Sequence, residues 1–387
     1  MKALLATCGA HAIQDGLVAI QFVLLPVLAQ SLGLSYSQVG ILKAANNIAT
    51  SVLEIPSGFL AEKFGEKKLL IFGLLCAGIG YIGVSQSGYF ATVCFFFLIT
   101  GCGAAFQHSL SSALIVNNFQ GGLRRKTLGT YNAFGDVGKL LYTGSFSLLM
   151  GIGLAWNSVV LPLAISACVF AIVVWQLLPD THTNSRPTKR ESAGKGTWGI
   201  RHPTRFSALG TMVLLDSMVQ SGFFTFIAFV LIEKGASASH AAGGVVLTLI
   251  GGTAGKLAGG FLASRLGDRA SFNLIQVVSI VGIIAIIFLP LQAVFIILPL
   301  VGIFVQGSST ICYGAVAEQV EEDKTARGYA VIYTLAAGAS AIGPATLGII
   351  ADIYSLTATV WMLAALTALT VLFSVTLSGR QYMAKPV

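Results

Sequence analysis

Charge is what this sequence has least of. Asp, Glu, Lys and Arg make up 10% of 387 residues, against roughly 25% in a soluble globular domain. So few charges cannot cover a water-facing surface, which excludes a soluble enzyme built on ordinary cores, and disordered and collagen-like chains with it. The six cysteines, Cys8, Cys76, Cys94, Cys102, Cys168 and Cys312, are scattered through apolar stretches with no CxxC pair and no Cys/His cluster. That excludes a disulfide scaffold and leaves them as small packing residues, with no metal site expected. No phosphate-cradling glycine loop is present, so ATP is not a direct energy source. Neither a Gly-x-Ser-x-Gly nor a His-Glu-x-x-His motif is present, so an intramembrane enzyme lacks its nucleophile or its metal ligands, and no cofactor is expected.

What the chain has in abundance is apolar surface and glycine: 55% hydrophobic residues and 44 Gly, with a mean hydropathy of +0.83. This composition describes a polytopic membrane protein. Glycine lets helices approach closely where lipid supplies no hydrophobic drive for their association. A bilayer-crossing helix needs about 20 apolar residues. Such stretches fall at 3–32, 37–62, 67–86, 89–118, 127–151 and 156–178, and again at 205–233, 240–265, 271–289, 292–318, 326–351 and 357–379. Met1 to Leu5 is too short for the charged and apolar regions of a cleaved signal, so the first run is kept as a span. Residues 179–204 are polar and rich in Pro, Ser, Thr and Gly. They separate an N-terminal half, 1–178, from a C-terminal half, 205–387, as a linker.

Orientation follows from the basic residues. One set of connections carries Lys63, Lys67, Lys68, Arg124, Arg125, Lys126, Arg265, Arg269, Lys324 and Arg327. The linker region adds Arg186, Lys189, Arg190, Lys195, Arg201 and Arg205, and the termini add Lys2, Arg380 and Lys385. Together these are nineteen of the 23 Lys and Arg, whereas the opposite loops hold Lys234 alone. Both termini and the linker are therefore expected in the cytoplasm, and a bacterial inner membrane is the expected location. Basic residues spread over short loops at one face also make the +8 net charge no sign of a nucleic-acid partner.

The sequence repeats across the linker. Residues 58–67, GFLAEKFGEK, match 260–269, GFLASRLGDR, at five identical positions and an offset of 202 that also aligns Gly33 with Gly235. A second set, Gly129 and Gly144 against Gly328 and Gly343, agrees at an offset of 199. Two parallel halves of six helices are a transporter layout, with binding near the midplane. The loop Gly58 to Lys68 resembles the signature of the major facilitator superfamily, with Glu62 where Asp is usual. Within it, His11-Ala-Ile-Gln-Asp15 and Gly101-Cys-Gly103 with Gln107-His108 resemble the fosmidomycin-resistance type of permease. The resemblance implies an all-α integral membrane protein of twelve transmembrane helices in two pseudo-symmetric six-helix halves. It also implies a conformational latch made by Gly58, Glu62, Lys63, Gly65 and Lys67, with Gly260, Arg265, Gly267, Asp268 and Arg269 as a second, weaker copy. The antiporter Gly-Pro motif is missing from the fifth span, where Gly144-Ser145 stands, and Gly343-Pro344 lies instead in the eleventh.

A charge at bilayer depth costs about 2.5–3.5 kcal/mol on insertion scales, so it faces protein or water and marks function. The intramembrane set is Asp15, Lys43, Glu54, Asp136, Lys139, Asp216 and Lys256, with His11 and His108. His11 and Asp15 are i,i+4 and can relay a proton or lock a helix; Asp136 and Lys139 are i,i+3 and can pair, gate or touch substrate. By the family's layout, Asp136 could exchange between Lys139 and Lys256. Lys43, Asn47, Thr50 and Glu54 form one polar stripe, and Asp216 nearly mirrors Asp15 at an offset of 201. Asp15, His11, Glu54, Asp136 and Asp216 are thus the proton-coupling candidates. His108, Gln107, Lys43, Asn47, Lys139, Lys256, Gln220, Gln306, Tyr313 and Tyr333 are the substrate candidates. The mixed signs favour an anionic or zwitterionic solute over a hydrophobic cation. The expectation is a monomeric, proton-coupled secondary transporter working by alternating access. Export is favoured, with organic-anion import by proton symport as the alternative, and a non-transporting receptor as a reading of another class.

Overall fold

A computed structural model of the chain describes residues 2–119, 121–178, 199–321 and 325–377. The side chains at 55, 58, 62, 109, 113, 116–118, 121, 122, 124, 125, 325 and 326 fall outside that description. So do most of the linker and the basic C-terminal residues used above for orientation.

Thirteen α-helices carry the described chain: α1 (Lys2–Leu32), α2 (Tyr36–Phe64), α3 (Glu66–Gln86), α4 (Phe90–Ala105), α5 (His108–Asn118), α6 (Gly121–Gly151), α7 (Trp156–Leu177), α8 (Pro203–Glu233), α9 (Ala238–Leu266), α10 (Asp268–Phe288), α11 (Leu291–Val316), α12 (Thr325–Ile353) and α13 (Leu356–Phe373). The chain falls into two compact units, Met1–Ser192 with Ala238–Gly243, and Ala193–Ser237 with Gly244–Val387. Among the described residues ten stretches are long and apolar enough to cross a membrane. The two long helices outside that set, α2 and α6, are the ones bearing Lys43, Asn46, Asn47 and Glu54, and Asp136 and Lys139.

The stretch expected as one helix over 89–118 is two. Phe106 and Gln107 donate their N–H groups to Gly103 O at 3.3 Å and Ala104 O at 3.1 Å, three residues back rather than four, so the helix tightens and breaks. The sequence around the break is glycine-rich because it is pressed on both sides. A Cβ at Gly101 would overlap the Asn46 carbonyl of α2, and one at Gly103 would fall 2.9 Å from Ala77 N of α3. Counting α4 with α5 as one broken span leaves six spans on each side of the linker.

Glycine also sets the turns. Gly33 (φ 62°) ends α1 and Gly235 (φ 98°) ends α8; Gly65 (φ 85°) joins α2 to α3 and Gly267 (φ 84°) joins α9 to α10. Backbone of this kind is open to glycine and strained for other residues. All four lie on the 202-residue offset, so the internal repeat is a repeat of backbone conformation. At Gly260 a Cβ would meet Thr310 Cγ2 at 3.5 Å, ordinary contact. Lys234, the lone basic residue of the opposite loops, donates to Ile287 O at 3.0 Å and Leu289 O at 2.9 Å. It neutralises the carbonyl end of α10.

Helix contacts rest on small residues. In the second unit, a Cβ at Gly251, Gly255 or Gly259 of α9 would overlap the carbonyls of Pro299, Ile303 and Gly307 of α11 in turn. These glycines recur every fourth residue, so one face of α9 lies directly on the α11 backbone. In the first unit, Gly138 of α6 meets the Ala12 carbonyl of α1 in the same way. The α2–α4 contact adds a polar tie, Asn46 Nδ2 to Thr100 Oγ1 at 2.7 Å, and Tyr81 donates its hydroxyl to the Leu17 carbonyl. Cys168 packs on Gly78, the packing role expected of these cysteines.

Replacing Gly255 with Val should force α9 off α11 and lower the melting temperature of the detergent-solubilised protein, as overpacking costs about 1–3 kcal/mol. Leu257→Val, at a site 78% exposed on the same helix, should leave it unchanged. Equal melting of the two variants would refute the contact.

Candidate functional site

The first unit gathers five ionisable side chains from three helices. His11 and Asp15 stand one turn apart on α1, Asp136 and Lys139 on α6, and His108 opens α5 just past the break. Asp15 is the hub. Its Oδ2 lies 3.3 Å from His11 Nε2 and 3.0 Å from Lys139 Nζ, and its Oδ1 lies 3.6 Å from His108 Nε2. Lys139 Nζ also donates to Asp136 Oδ1 at 3.1 Å, so one ammonium bridges two carboxylates. The helices can come this close because Gly135 and Gly138 face α1; a Cβ at Gly135 would fall 2.6 Å from His11 Nε2 and 2.9 Å from Asp15 Oδ2.

The hydrogen bonds of His11 fix where a proton must be. Nδ1 lies 2.8 Å from the Tyr131 carbonyl oxygen, which can only accept, so Nδ1 carries a hydrogen. Nε2 then faces a carboxylate oxygen, and two bare lone pairs would repel. The contact is attractive when one proton lies on the line between Nε2 and Oδ2. The Tyr131 ring, stacked on His11 at 4.0 Å between centroids, and His108, edge-on at 5.1 Å, hold the imidazole in place. Charge arithmetic over these side chains agrees. Two carboxylates and one ammonium sum to minus one, and a proton shared by His11 and Asp15 would restore neutrality where unbalanced charge is costly.

Exposure divides the cluster. The Asp15 and His11 side chains are 10% and 5% exposed, while Lys139 is 28% and His108 52%. Lys139 and His108 open outward and the acid sits beneath them. One ligand atom each from His11, Asp15 and His108 lie within 4.8 Å of one another, a spacing a metal ion could use. The Lys139 ammonium on the same carboxylate oxygen takes the place a cation would need. Gln107, buried at the break, donates to Ser111 Oγ at 3.0 Å, so it steadies the start of α5.

The remaining candidates are dispersed. Lys43 is buried and donates to Gln21 Oε1 of α1 at 2.8 Å, with its ammonium 4.5 Å from the Phe22 ring centroid. Asn47 and Glu54 are half-buried on the same helix, while the deeply buried amide of α2 is the neighbouring Asn46. Among the described residues no ion pair involves Glu54. In the second unit, Asp216 is buried among Gln220, Gln276 and Ser308. Gln306 packs on Gly252, and Lys256 is half-buried on α9, its carbonyl accepting from Thr310 Oγ1 at 3.0 Å. Tyr313 and Tyr333 stack at 4.9 Å, and the Tyr329 ring lies 6.0 Å from that of Tyr333. Tyr333 is 50% exposed, so the stack offers a flat apolar face.

At the repeated loop, Lys63 lies 5.3 Å from the Phe64 ring centroid and Arg265 lies 5.1 Å from that of Phe261. Lys67 is buried, Asp268 is partly buried and Arg269 is exposed. The Glu62 side chain and the surroundings of Gly58 lie outside the described residues. A separate hollow of about 430 Å³ between α1, α6 and α7, lined by Leu4, Cys8, Phe134 and Phe170 among others, is apolar.

The comparisons with known proteins follow the same outline. The family model described as Major Facilitator Superfamily matches residues 7–301 and 209–385. The chain belongs to the major facilitator superfamily. It is therefore a membrane-embedded transporter and not an enzyme. An uncharacterized MFS-type transporter of Bacillus subtilis (strain 168), YfnC, is 25% identical over 380 residues, covering 94% of this chain and 89% of that one. A mutant of the nucleoside transporter NupG superposes with a TM-score of 0.81 at 15% identity, over 97% of this chain and 100% of that one. A bacterial homolog of the human lysosomal transporter Spinster, inward-facing and occupied, gives 0.76 at 16% identity, over 96% and 94%. At such identities these two structures establish the twelve-helix facilitator fold alone.

Several partners were invisible in the sequence: Gln21 opposite Lys43, Tyr131 behind His11, Tyr329 in the stack, and Ser308 with Gln276 around Asp216. Only Ser308 had any signal, as a polar residue beside Gln306 in an apolar span.

Lys139→Met should destabilise the protein by about 1–3 kcal/mol, because it strands two carboxylates around one lost ammonium. Adding Asp15→Asn should recover part of that loss, with a coupling of at least about 1 kcal/mol in a double-mutant cycle. Additive effects would show that the bridge contributes nothing.

Proposed function

We propose that this transporter moves a small organic anion or zwitterion by alternating access, coupled to protons at the His11–Asp15 pair. The observation that carries the reading is the layered cluster of α1, α5 and α6. His108 and Lys139 are its exposed donors and suit a solute carboxylate or phosphoryl group. An anion that engages Lys139 draws the ammonium away from Asp15. The carboxylate beneath then needs the shared proton more, so solute and proton assist one another's binding. Reciprocity of this kind is the thermodynamic basis of symport.

Mutual assistance between solute and proton favours proton symport, the alternative read from the sequence, over the export favoured there. Asp136 keeps a hold on Lys139 as it moves, which makes it the positioning partner and leaves Asp15 as the proton carrier. Lys43, held by Gln21, and the Tyr313–Tyr333 stack are secondary contacts for the solute. The likeness to a nucleoside transporter supports a solute with a flat ring no more than any other. The basic loops support a cytoplasmic linker and termini in a bacterial inner membrane, the two six-helix halves act as the rocking bodies, and the repeated loops serve as latches.

Proteoliposomes test the coupling with a panel of labelled carboxylates, phosphonates and amino acids. A one-unit pH gradient, acid outside, should sustain about tenfold accumulation at one proton per solute, since one unit is 1.36 kcal/mol. Asp15→Asn should abolish accumulation yet retain counterflow exchange. Accumulation by Asp15→Asn, or solute leaving the vesicles against the same gradient, would overturn the reading.

A further inference from the structure

The first unit has a second feature, apart from its charged cluster. The apolar hollow of about 430 Å³ between α1, α6 and α7 is lined by Leu5, Cys8, Thr130, Phe134, Val173 and Leu177 among others. Thr130 turns its hydroxyl back to the Lys126 carbonyl at 3.1 Å, which leaves hydrocarbon and the Cys8 thiol facing the space. Helix packing places this hollow at one end of the unit. Gly135 lies against His11, Gly138 against Ala12 and Gly16 against Tyr142. α1 and α6 therefore run parallel, and the hollow falls near the starts of both. α7 runs the opposite way. Its Phe170 ring stands where a Cβ of Gly9 would be, at the deep end of the hollow, and its last residue, Leu177, lies at the outer end.

One turn beyond that outer end the residues are basic. Lys2 stands three residues before Leu5 and Lys126 four before Thr130, spacings that put each lysine on the hollow's side of its helix. Both are exposed. Side chains on a helix tilt toward its N-terminus, so both lysines lean away from the apolar interior and toward the membrane surface. Neither helix has an acid in its first turn. At the same level on α7, Trp175 is 62% exposed, as an aromatic ring at headgroup depth is. Val169, one turn from Val173, is exposed too. The hollow thus borders an apolar outer face, which in a membrane-embedded chain meets lipid. A hydrocarbon slot with two cations at its mouth matches a phospholipid of net negative charge. A free anion has no use for the slot, and a zwitterionic headgroup brings its own ammonium to the same cations.

We propose that the starts of α1 and α6 and the end of α7 form a binding site for an anionic phospholipid. One acyl chain fills the hollow, and Lys2 and Lys126 hold the phosphate. The site is separate from the α1–α5–α6 cluster, and following it requires no transport. The full-length protein in detergent is irradiated with a phosphatidylglycerol bearing a diazirine on one acyl chain, and labelled peptides are mapped by mass spectrometry. Labelling should concentrate on the peptides of Leu5, Cys8, Phe134 and Val173. Unlabelled phosphatidylglycerol should displace the probe, and phosphatidylcholine with the same chains should not. Replacing both lysines, Lys2→Gln with Lys126→Gln, should raise the half-saturating probe concentration about 30-fold, at roughly fivefold per lysine near a membrane surface. Val173→Trp, which fills the hollow, should remove labelling there and spare it elsewhere. The wild-type competition stands without any variant, so misfolding of one cannot decide the outcome. Labelling spread evenly over the outer faces of all helices would overturn the proposal. So would equal displacement by phosphatidylcholine, or half-saturation unchanged in the lysine variant, either of which would leave ordinary lipid contact.

Discussion

A carboxylate held among hydrocarbon side chains has to be neutralised by its neighbours, and Asp15 meets that requirement with three cation-forming groups drawn from three helices. Lys139, His11 and His108 reach it at 3.0, 3.3 and 3.6 Å. Much of the surrounding backbone follows from the need to bring them there. Gly135 and Gly138 are glycines because His11, Asp15 and the Ala12 carbonyl occupy the space a side chain would take. Past the break in the fourth span, His108 begins a new helix beside the same carboxylate. Asp136 belongs to the arrangement as well, since Lys139 bridges it to Asp15 at 3.1 and 3.0 Å.

The two halves share a frame and differ in chemistry. Gly33 and Gly235, and Gly65 and Gly267, place the same left-handed turns 202 residues apart, so both units fold through the same helix pairings. Asp15 and Asp216 sit at nearly matching points on this frame. One is surrounded by charges, the other by a hydroxyl and two amides, and the same solvation problem has been answered twice by different means.

Much of the fold was legible in the sequence because it depends on short-range quantities: span length and turns that only glycine can make. Pairs within one helix were legible for the same reason. His11 with Asp15 and Asp136 with Lys139 follow from helical spacing, and both pairs meet in the structure. What depended on helix docking was hidden. The spacing along α2 pointed to Lys43, Asn47 and Glu54, yet the amide that docks is Asn46, because Gly101 of α4 lies against that side of the helix. The break at Phe106 was missed although Gln107, His108 and Ser109 follow it directly, because polar residues also occur within unbroken spans of this chain. The partners of Asp216 are ordinary polar residues far apart in the chain, with nothing to link them until three helices converge.

The central claim is that an anion and a proton bind the α1–α5–α6 cluster together. Calorimetry of the purified protein with the tightest-binding anion of the panel, repeated in buffers of different ionisation heat, counts protons taken up on binding. The account predicts an uptake approaching one proton for the wild type and none for Asp15→Asn. Binding heats that are independent of the buffer in the wild type would contradict it.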